Sequence, residues 1–404
     1  MNKFKRCTAA AVIAAVLAFA FLIYPLASAG NASAPEEFIA AADTLHVLGL
    51  FLGTDSGYEL DRTPTRAEAA VMLVRFLGKE AEANLAVRYS APFSDVPDWA
   101  KPYVGYLYAN GITNGVSATE FGSSQLCSVK MYSAFIMRAL GYADGMDFIY
   151  DTADITVRTL IYSNLTAGNF TRGDMTALSE LALASEVKST SFGTLAEKLA
   201  SDGAIPANSP YIERAKQYKL VRNAFTQIAE TQYYDVSVRY TFASDELFLN
   251  ADELTAQYHY DAQSGSPEWS YSDSSGAEII YSGNDISGNL GSDLSPEDFK
   301  LSFDLDDELR FFNAFTYGYE SVGHIYQLRY GENDFSAVAE NILGDEYSAL
   351  VAQGLHIRSI ITEIAVSSSG TLRYQNTMLR GSYLEDGKEV LLNAYEEITI
   401  NGIE

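Results

Sequence analysis

The sequence predicts an α+β chain of two parts, an all-α N-terminal half of repeated helix pairs and a C-terminal half carrying a curved antiparallel sheet. Three observations lead there. Apolar residues recur at helical spacing from Glu36 onward, the same helix-start grammar appears three times, and beyond about residue 235 the apolar period shortens to two.

The leading residues belong to export, not to the fold. Lys3, Lys5 and Arg6 precede an apolar run from Thr8 to about Ala27, and Ala27-Ser28-Ala29 offers the small residues of a cleavage site, with Ala32-Ser33-Ala34 as a second choice. The run is long enough to cross a bilayer, but the small residues at its end and the lack of a charged stop-transfer flank favour a cleaved signal over residues 1–29. Cys7 precedes the run, so it is not placed as a lipoprotein cysteine. A secreted chain held at the cell surface is expected, with no membrane contact after cleavage. Removing three basic residues takes the net charge from −26 to −29, which repels nucleic acid and anionic lipid alike. Only Cys127 remains in the processed chain, so stability must come from apolar cores, for which a hydrophobic content of 48% is ample.

The first helix is expected over Glu36–Leu48, with Phe38, Ala41, Ala42, Leu45 and Leu48 on one face. Gly49-Leu50-Phe51-Leu52-Gly53 and a polar loop lead to Thr65-Arg66-Ala67-Glu68, where the Thr65 hydroxyl and the Glu68 carboxylate form a capping box. Ala69, Met72, Leu73, Phe76 and Leu77 give that helix an apolar face, and Gly78 a left-handed stop. The pattern returns with Phe93-Ser94-Asp95-Val96-Pro97-Asp98-Trp99-Ala100, a helix carrying Trp99, Tyr103 and Leu107, and Gly111-Ile112-Thr113-Asn114-Gly115. Ser128 caps the next helix, but Val129 and Met131 stand where Arg66 and Glu68 stood, so half the box is lost. A third copy has a first helix over Asp154–Tyr162 and restores cap, arginine and acid in Phe170-Thr171-Arg172-Gly173-Asp174.

These residues resemble the S-layer homology repeat, through the Thr65-Arg66-Ala67-Glu68 helix start, Phe93-Ser94-Asp95-Val96 with Trp99-Ala100, and Gly111-Ile112-Thr113-Asn114-Gly115. The resemblance implies repeats at 35–80, 91–142 and a degenerate 147–205, packed as a pseudo-threefold bundle. The grooves of such a bundle would bind a secondary cell-wall polysaccharide, often one ending in a pyruvylated sugar. Carried over position by position, the polymer-binding residues are Thr65, Arg66 and Glu68, then Asp95 and Trp99, then Arg172. An arginine offers an anionic ketal a fixed bidentate donor, and an indole offers the apolar face of a pyranose a stacking surface. The competing reading makes Thr65, Glu68 and Ser128 plain caps and Trp99 a packed residue.

Ser201-Asp202-Gly203-Ala204-Ile205-Pro206-Ala207-Asn208-Ser209-Pro210 breaks the composition and is read as the linker to a C-terminal domain over 211–404. A helix over Tyr211–Thr231 opens it. Strands follow at Val236–Phe242, Leu254–Tyr260, Glu278–Ser282, Lys300–Leu305 and Ile325–Tyr330, then a helix over Ala337–Leu355 with a break at Gly344. The chain closes in a meander of Ile360–Ser367, Thr371–Ser382 and Glu389–Ile400. The outline resembles the half-barrel of bacterial lipoprotein-carrier domains. The four histidines are scattered, no nucleophile or metal spacing is present, and the acid cluster Asp304-Leu305-Asp306-Asp307-Glu308 lacks calcium-loop spacing. No catalysis, metal or cofactor is expected. A non-catalytic wall-anchored protein displaying a β-rich module is the reading, with a lipid carrier or a wall-tethered hydrolase as alternatives.

Overall fold

A computed structural model describes residues 35–85, 89–165, 168–245, 251–262, 268–282, 285–288, 312–313, 315–316, 323–332, 334–344 and 346–403. The signal segment, the strand expected at Lys300–Leu305 and the acid cluster at Asp304–Glu308 lie outside them. The chain divides into a helical unit, Ser28–Lys219 with Leu305–Asn313, and a sheet unit, Leu220–Asp304 with Ala314–Glu404. The division falls past the proline-containing 201–210 stretch, within the helix Pro210–Glu230.

In the helical unit α1 (Glu36–Val47) follows Pro35 and buries Ala41, Ala42 and Leu45. The second helix, α2 (Arg66–Phe76), starts on a complete capping box between Thr65 and Glu68, and a short α3 (Glu80–Ala83) follows it. Next come α4 (Lys101–Ala109) and α5 (Val129–Ala139), the latter capped by the Ser128 hydroxyl alone. The series ends with α6 (Ala153–Leu160), α7 (Arg172–Ala182), α8 (Leu195–Ser201) and α9 (Pro210–Glu230). At α7 the full box is restored between Thr171 and Asp174. Helix α1 packs on α7, α2 on α4 and α5 on α6. The pentapeptides Gly49–Gly53 and Gly111–Gly115 are bracketed by glycines with φ between 70° and 74°, the left-handed region where a Cβ is costly.

Trp99 departs from expectation. Helix α4 begins at Lys101, because Pro102 in its first turn fixes the start there, and Trp99 lies in the preceding turn at 54% exposure. It is therefore no part of the apolar face that Tyr103 and Leu107 share, and the packed reading of its indole is wrong.

Among the described residues the sheet unit holds ten antiparallel strands in the order β5-β4-β3-β2-β1-β10-β9-β8-β7-β6. These are β1 (Tyr233–Ala243), β2 (Asp252–Asp261), β3 (Glu268–Asp273), β4 (Glu278–Ser282) and β5 (Asp285–Gly288). The rest are β6 (Phe315–Thr316), β7 (His324–Arg329), β8 (His356–Val366), β9 (Leu372–Glu385) and β10 (Lys388–Ile403). The last strand pairs with the first, Val238 facing Ile398 on one side and Ala256 on the other. Register shifts at Asp235/Val236, Ile357/Ser359 and Ala365/Val366 interrupt regular pairing, as bulges in strongly bent strands do. The helix expected over Ala337–Leu355 is two, α10 (Phe335–Leu343) and α11 (Glu346–Ala352), parted at Gly344. Their Ala339, Ile342, Leu343 and Leu350 form one core with Ile360, Leu379, Leu392 and Ala394 of the sheet.

Across the buried face of that sheet runs a polar line. Thr362 and Thr377 share a hydroxyl hydrogen bond of 2.9 Å, and Thr377 is the register partner of Glu396, which faces Tyr240. Burial pushes the Glu396 carboxyl up to about 7, only partly offset by its hydrogen bond with the Tyr240 hydroxyl.

Candidate functional site

The six residues singled out in the sequence fall into two clusters, with Trp99 apart from both. In the first, the start of α2 docks on the loop Phe121–Gln125. The amides of Arg66 and Ala67 donate to the carbonyls of Gln125 and Ser123 at 2.8 and 3.2 Å. Asp95 holds the same loop from the other side, its carboxylate accepting the amides of Phe121, Gly122 and Ser123 at 2.7–2.8 Å. Arg66 and Asp95 are thus brought onto one loop.

The Arg66 side chain points inward and is only 6% exposed. Its guanidinium centre lies 4.8 Å from the Phe121 ring centroid and 5.2 Å from that of Phe135. One Nη donates to the Thr113 hydroxyl at 3.4 Å, and the buried Nε has no hydrogen-bond partner among the described residues. Burial depresses its pKa, with Asp95 among the weaker charges working the other way.

The second cluster lies where the start of α7 meets the loop before α2. The Arg172 and Gly173 amides donate to the Arg62 and Leu60 carbonyls at 2.9 and 2.8 Å. Arg172 Nε donates to the Tyr58 carbonyl at 2.8 Å, and its guanidinium sits 5.2 Å from the Phe51 ring centroid. Glu68, assigned with Arg66, in fact faces this side: Arg62 forks its two carboxylate oxygens at 3.0 and 2.8 Å, and the Thr65 amide donates to it at 2.7 Å. Burial works against that charge, but the Arg62 and Thr65 bonds outweigh it and hold the carboxyl at about 2.

The two clusters share one geometry. Arg66 reaches Thr113, the third residue of Gly111–Gly115, and Arg172 covers Phe51, the third residue of Gly49–Gly53. In each case the helix-start amides are already committed to carbonyls, so an anion would meet the guanidinium rather than the helix end. Val129 at the start of α5 leaves the corresponding place without an arginine. Sequence reading missed Phe121, Phe51, Thr113 and Arg62. A signal was present for Thr113 and Phe51, which occupy equivalent positions in the two pentapeptides.

Among the described residues no group of three His, Cys, Asp or Glu side chains is arranged to hold a metal ion. No described helix is long and apolar enough to cross a membrane.

Similarity to known proteins is regional. A cell surface protein of Thermoanaerobacter kivui is 29% identical over 149 residues, 34% of this chain and 19% of that protein. The middle cell wall protein of Brevibacillus brevis is 29% identical over 192 residues, 44% of this chain and 18% of its own length. A surface layer protein of Brevibacillus choshinensis is 29% identical over 151 residues, 36% and 13% respectively. The chain therefore spans less than a fifth of the length of the curated relatives it matches. No family model matches the sequence. Among solved structures, a LolA superfamily protein of Nitrosomonas europaea overlaps 46% of this chain and 93% of its own, at 12% identity and a TM-score of 0.15, too loose to define a shared fold. The relatives bear the names of surface and cell-wall proteins rather than of enzymes, and they locate this chain with them: it is a cell-wall-associated surface protein.

Proposed function

We propose that the helical unit consists of S-layer homology repeats over 35–80, 91–142 and 147–205 that bind an acidic secondary cell-wall polysaccharide, and that residues 211–404 are the module so displayed. The observation that carries this reading is Arg66. A guanidinium taken out of water without a carboxylate in contact loses several kcal/mol of solvation, and two aromatic faces return roughly 1–2 kcal/mol. A carboxylate-bearing sugar would supply the missing charge and a partner for Nε. Arg172 is better satisfied by Tyr58 and by the acidic neighbours Glu59 and Glu68, so it contributes second. The exposed Trp99 indole is the surface on which a pyranose ring would stack.

The test is sedimentation of the full chain with purified cell walls. Arg66→Ala combined with Arg172→Ala is expected to weaken co-sedimentation sharply, whereas Lys101→Ala, which loses only an exposed pair with Asp98, leaves it unchanged. Undiminished binding by a folded double variant would remove the assignment. The carrier alternative has less to draw on, since the chain's own α10 and α11 occupy the end of the sheet face around Ile360 and Leu392.

A further inference from the structure

One carboxylate of the helical unit takes no part in either cluster. Glu180 on α7 is fully buried, and Asn313 Nδ2 donates to its Oε2 at 3.2 Å, while Oε1 has no hydrogen-bond partner among the described residues. Asn313 is not local. It lies 133 residues further along the chain, yet belongs to the same helical unit. The same side chain accepts at Oδ1 a hydrogen bond of 3.1 Å from Arg214 Nη1 of α9. A neutral amide thus stands between a buried acid and a guanidinium. Its neighbour Phe312 is fully buried, its ring centroid 5.4 Å from that of Tyr218, one turn beyond Arg214 on α9.

We propose that Glu180, Asn313 and Arg214 form a protonation-controlled clasp on Phe312 and Asn313, closed while the Glu180 carboxyl is protonated. Once ionised, the carboxylate is better served by Arg214 directly than by an amide, so the guanidinium takes it and Asn313 is displaced together with Phe312. The geometry favours this because an ionised carboxylate in a dry site, held only by a neutral amide and a neutral hydroxyl, is poorly compensated, whereas a direct guanidinium pair is the strong form of the contact. The other groups on the neighbouring elements do not substitute for Arg214. Thr44 of α1 brings an uncharged hydroxyl, and across α7 the Tyr132 phenol is engaged with Ser179 at 2.8 Å. On α9, Tyr218 is a phenol and Lys219 is paired with Glu186, leaving Arg214 as the cation that acts on the carboxyl.

Burial accordingly pushes the Glu180 carboxyl up to about 7, with the hydroxyl, the amide and Arg214 pulling weakly the other way. The closed form binds a proton that the open form releases, so opening becomes easier as pH rises from the ordinary carboxyl range to about 7 and levels off above it. If opening restores an ordinary carboxyl, the equilibrium shifts by more than about tenfold between pH 5 and pH 8.

Hydrogen exchange of the Phe312 and Asn313 amides in the full chain, corrected for intrinsic rates, reads the clasp. Protection in the wild type should fall at least about tenfold over that interval, and Glu180→Gln should hold it flat. A flat wild-type profile, or a Glu180→Gln variant that keeps the wild-type slope, overturns the proposal. Asn313→Ala provides a second arm if the glutamine variant does not fold. With the amide removed, Arg214 meets the acid directly, and the Glu180 carboxyl, followed by isotope-edited infrared spectroscopy, should ionise at lower pH than in the wild type. An unmoved midpoint also overturns it.

Discussion

Asp95 holds Phe121 in place for Arg66: its carboxylate accepts the Phe121 amide at 2.7 Å, and the Phe121 ring lies 4.8 Å from the Arg66 guanidinium centre. An exposed acid therefore fixes the loop on which a buried cation rests. Asp95→Ala leaves three amides without their acceptor and should cost about 1–2 kcal/mol of helical-unit stability, read as a lower midpoint in urea. Wall binding should weaken as well, because the loop that seats Arg66 is loosened. A variant as stable as the wild type would show that water replaces the carboxylate without loss.

Gly173 sits inside α7, where alanine would ordinarily be the better helix former by about 1 kcal/mol. Here a Cβ would lie 2.2 Å from Phe38 Cδ2 of α1. Gly173→Ala should therefore destabilise, by roughly 1–3 kcal/mol. Phe38→Leu in the same chain should return part of that loss, which a double-mutant cycle would register.

The capped starts at Thr65, Ser128 and Thr171 should rank by completeness. Thr65→Ala and Thr171→Ala each remove one half of a reciprocal box and should cost about 1 kcal/mol or more, Ser128→Ala less. At Glu68 the folded carboxyl at about 2 lies below its ordinary 4.5, so its ionised form stabilises the fold above pH 4.5. That contribution is lost as pH falls toward 2. Glu68→Gln should show a shallower decline in stability over this window, measured by thermal unfolding.

Glu396 runs the other way. Its folded carboxyl, raised to about 7, retains a proton that the unfolded chain releases near 4.5. The sheet unit should lose stability as pH climbs from 4.5 to 7, by about 3 kcal/mol at most. Glu396→Gln should flatten that slope while preserving a partner for the Tyr240 hydroxyl. An unchanged slope would show that the sheet admits water to the carboxyl.

Local grammar made the helical unit legible. Thr65, Ser128 and Thr171 cap the helices the sequence assigns to them, and the loss of half the box at Met131 is visible in both sequence and structure. Where the arginines point was not legible, because the Phe121 and Phe51 rings that receive them lie in another helix pair. The closing strands β8 to β10 were clear from alternation and from the Asp386-Gly387 turn, both residues of which have positive φ. The strand β3 was missed: Glu268-Trp269-Ser270-Tyr271-Ser272-Asp273 is short and rich in serine and acid, and it is held by pairing with β2 and β4 rather than by its own propensity.

The bond from Arg172 Nε to the Tyr58 carbonyl spans 114 residues of chain. Repeats stacked in an open line can be shortened from one end at the loss of a single junction. Here the third of the arginine- or serine-marked starts, that of α7, reaches back to the loop that leads into α2. Deleting the chain from Phe170 onward would therefore strip Tyr58, Leu60 and Arg62 of their partners and leave the opening pair frayed. The segment is indivisible in a way its repeated spelling does not suggest.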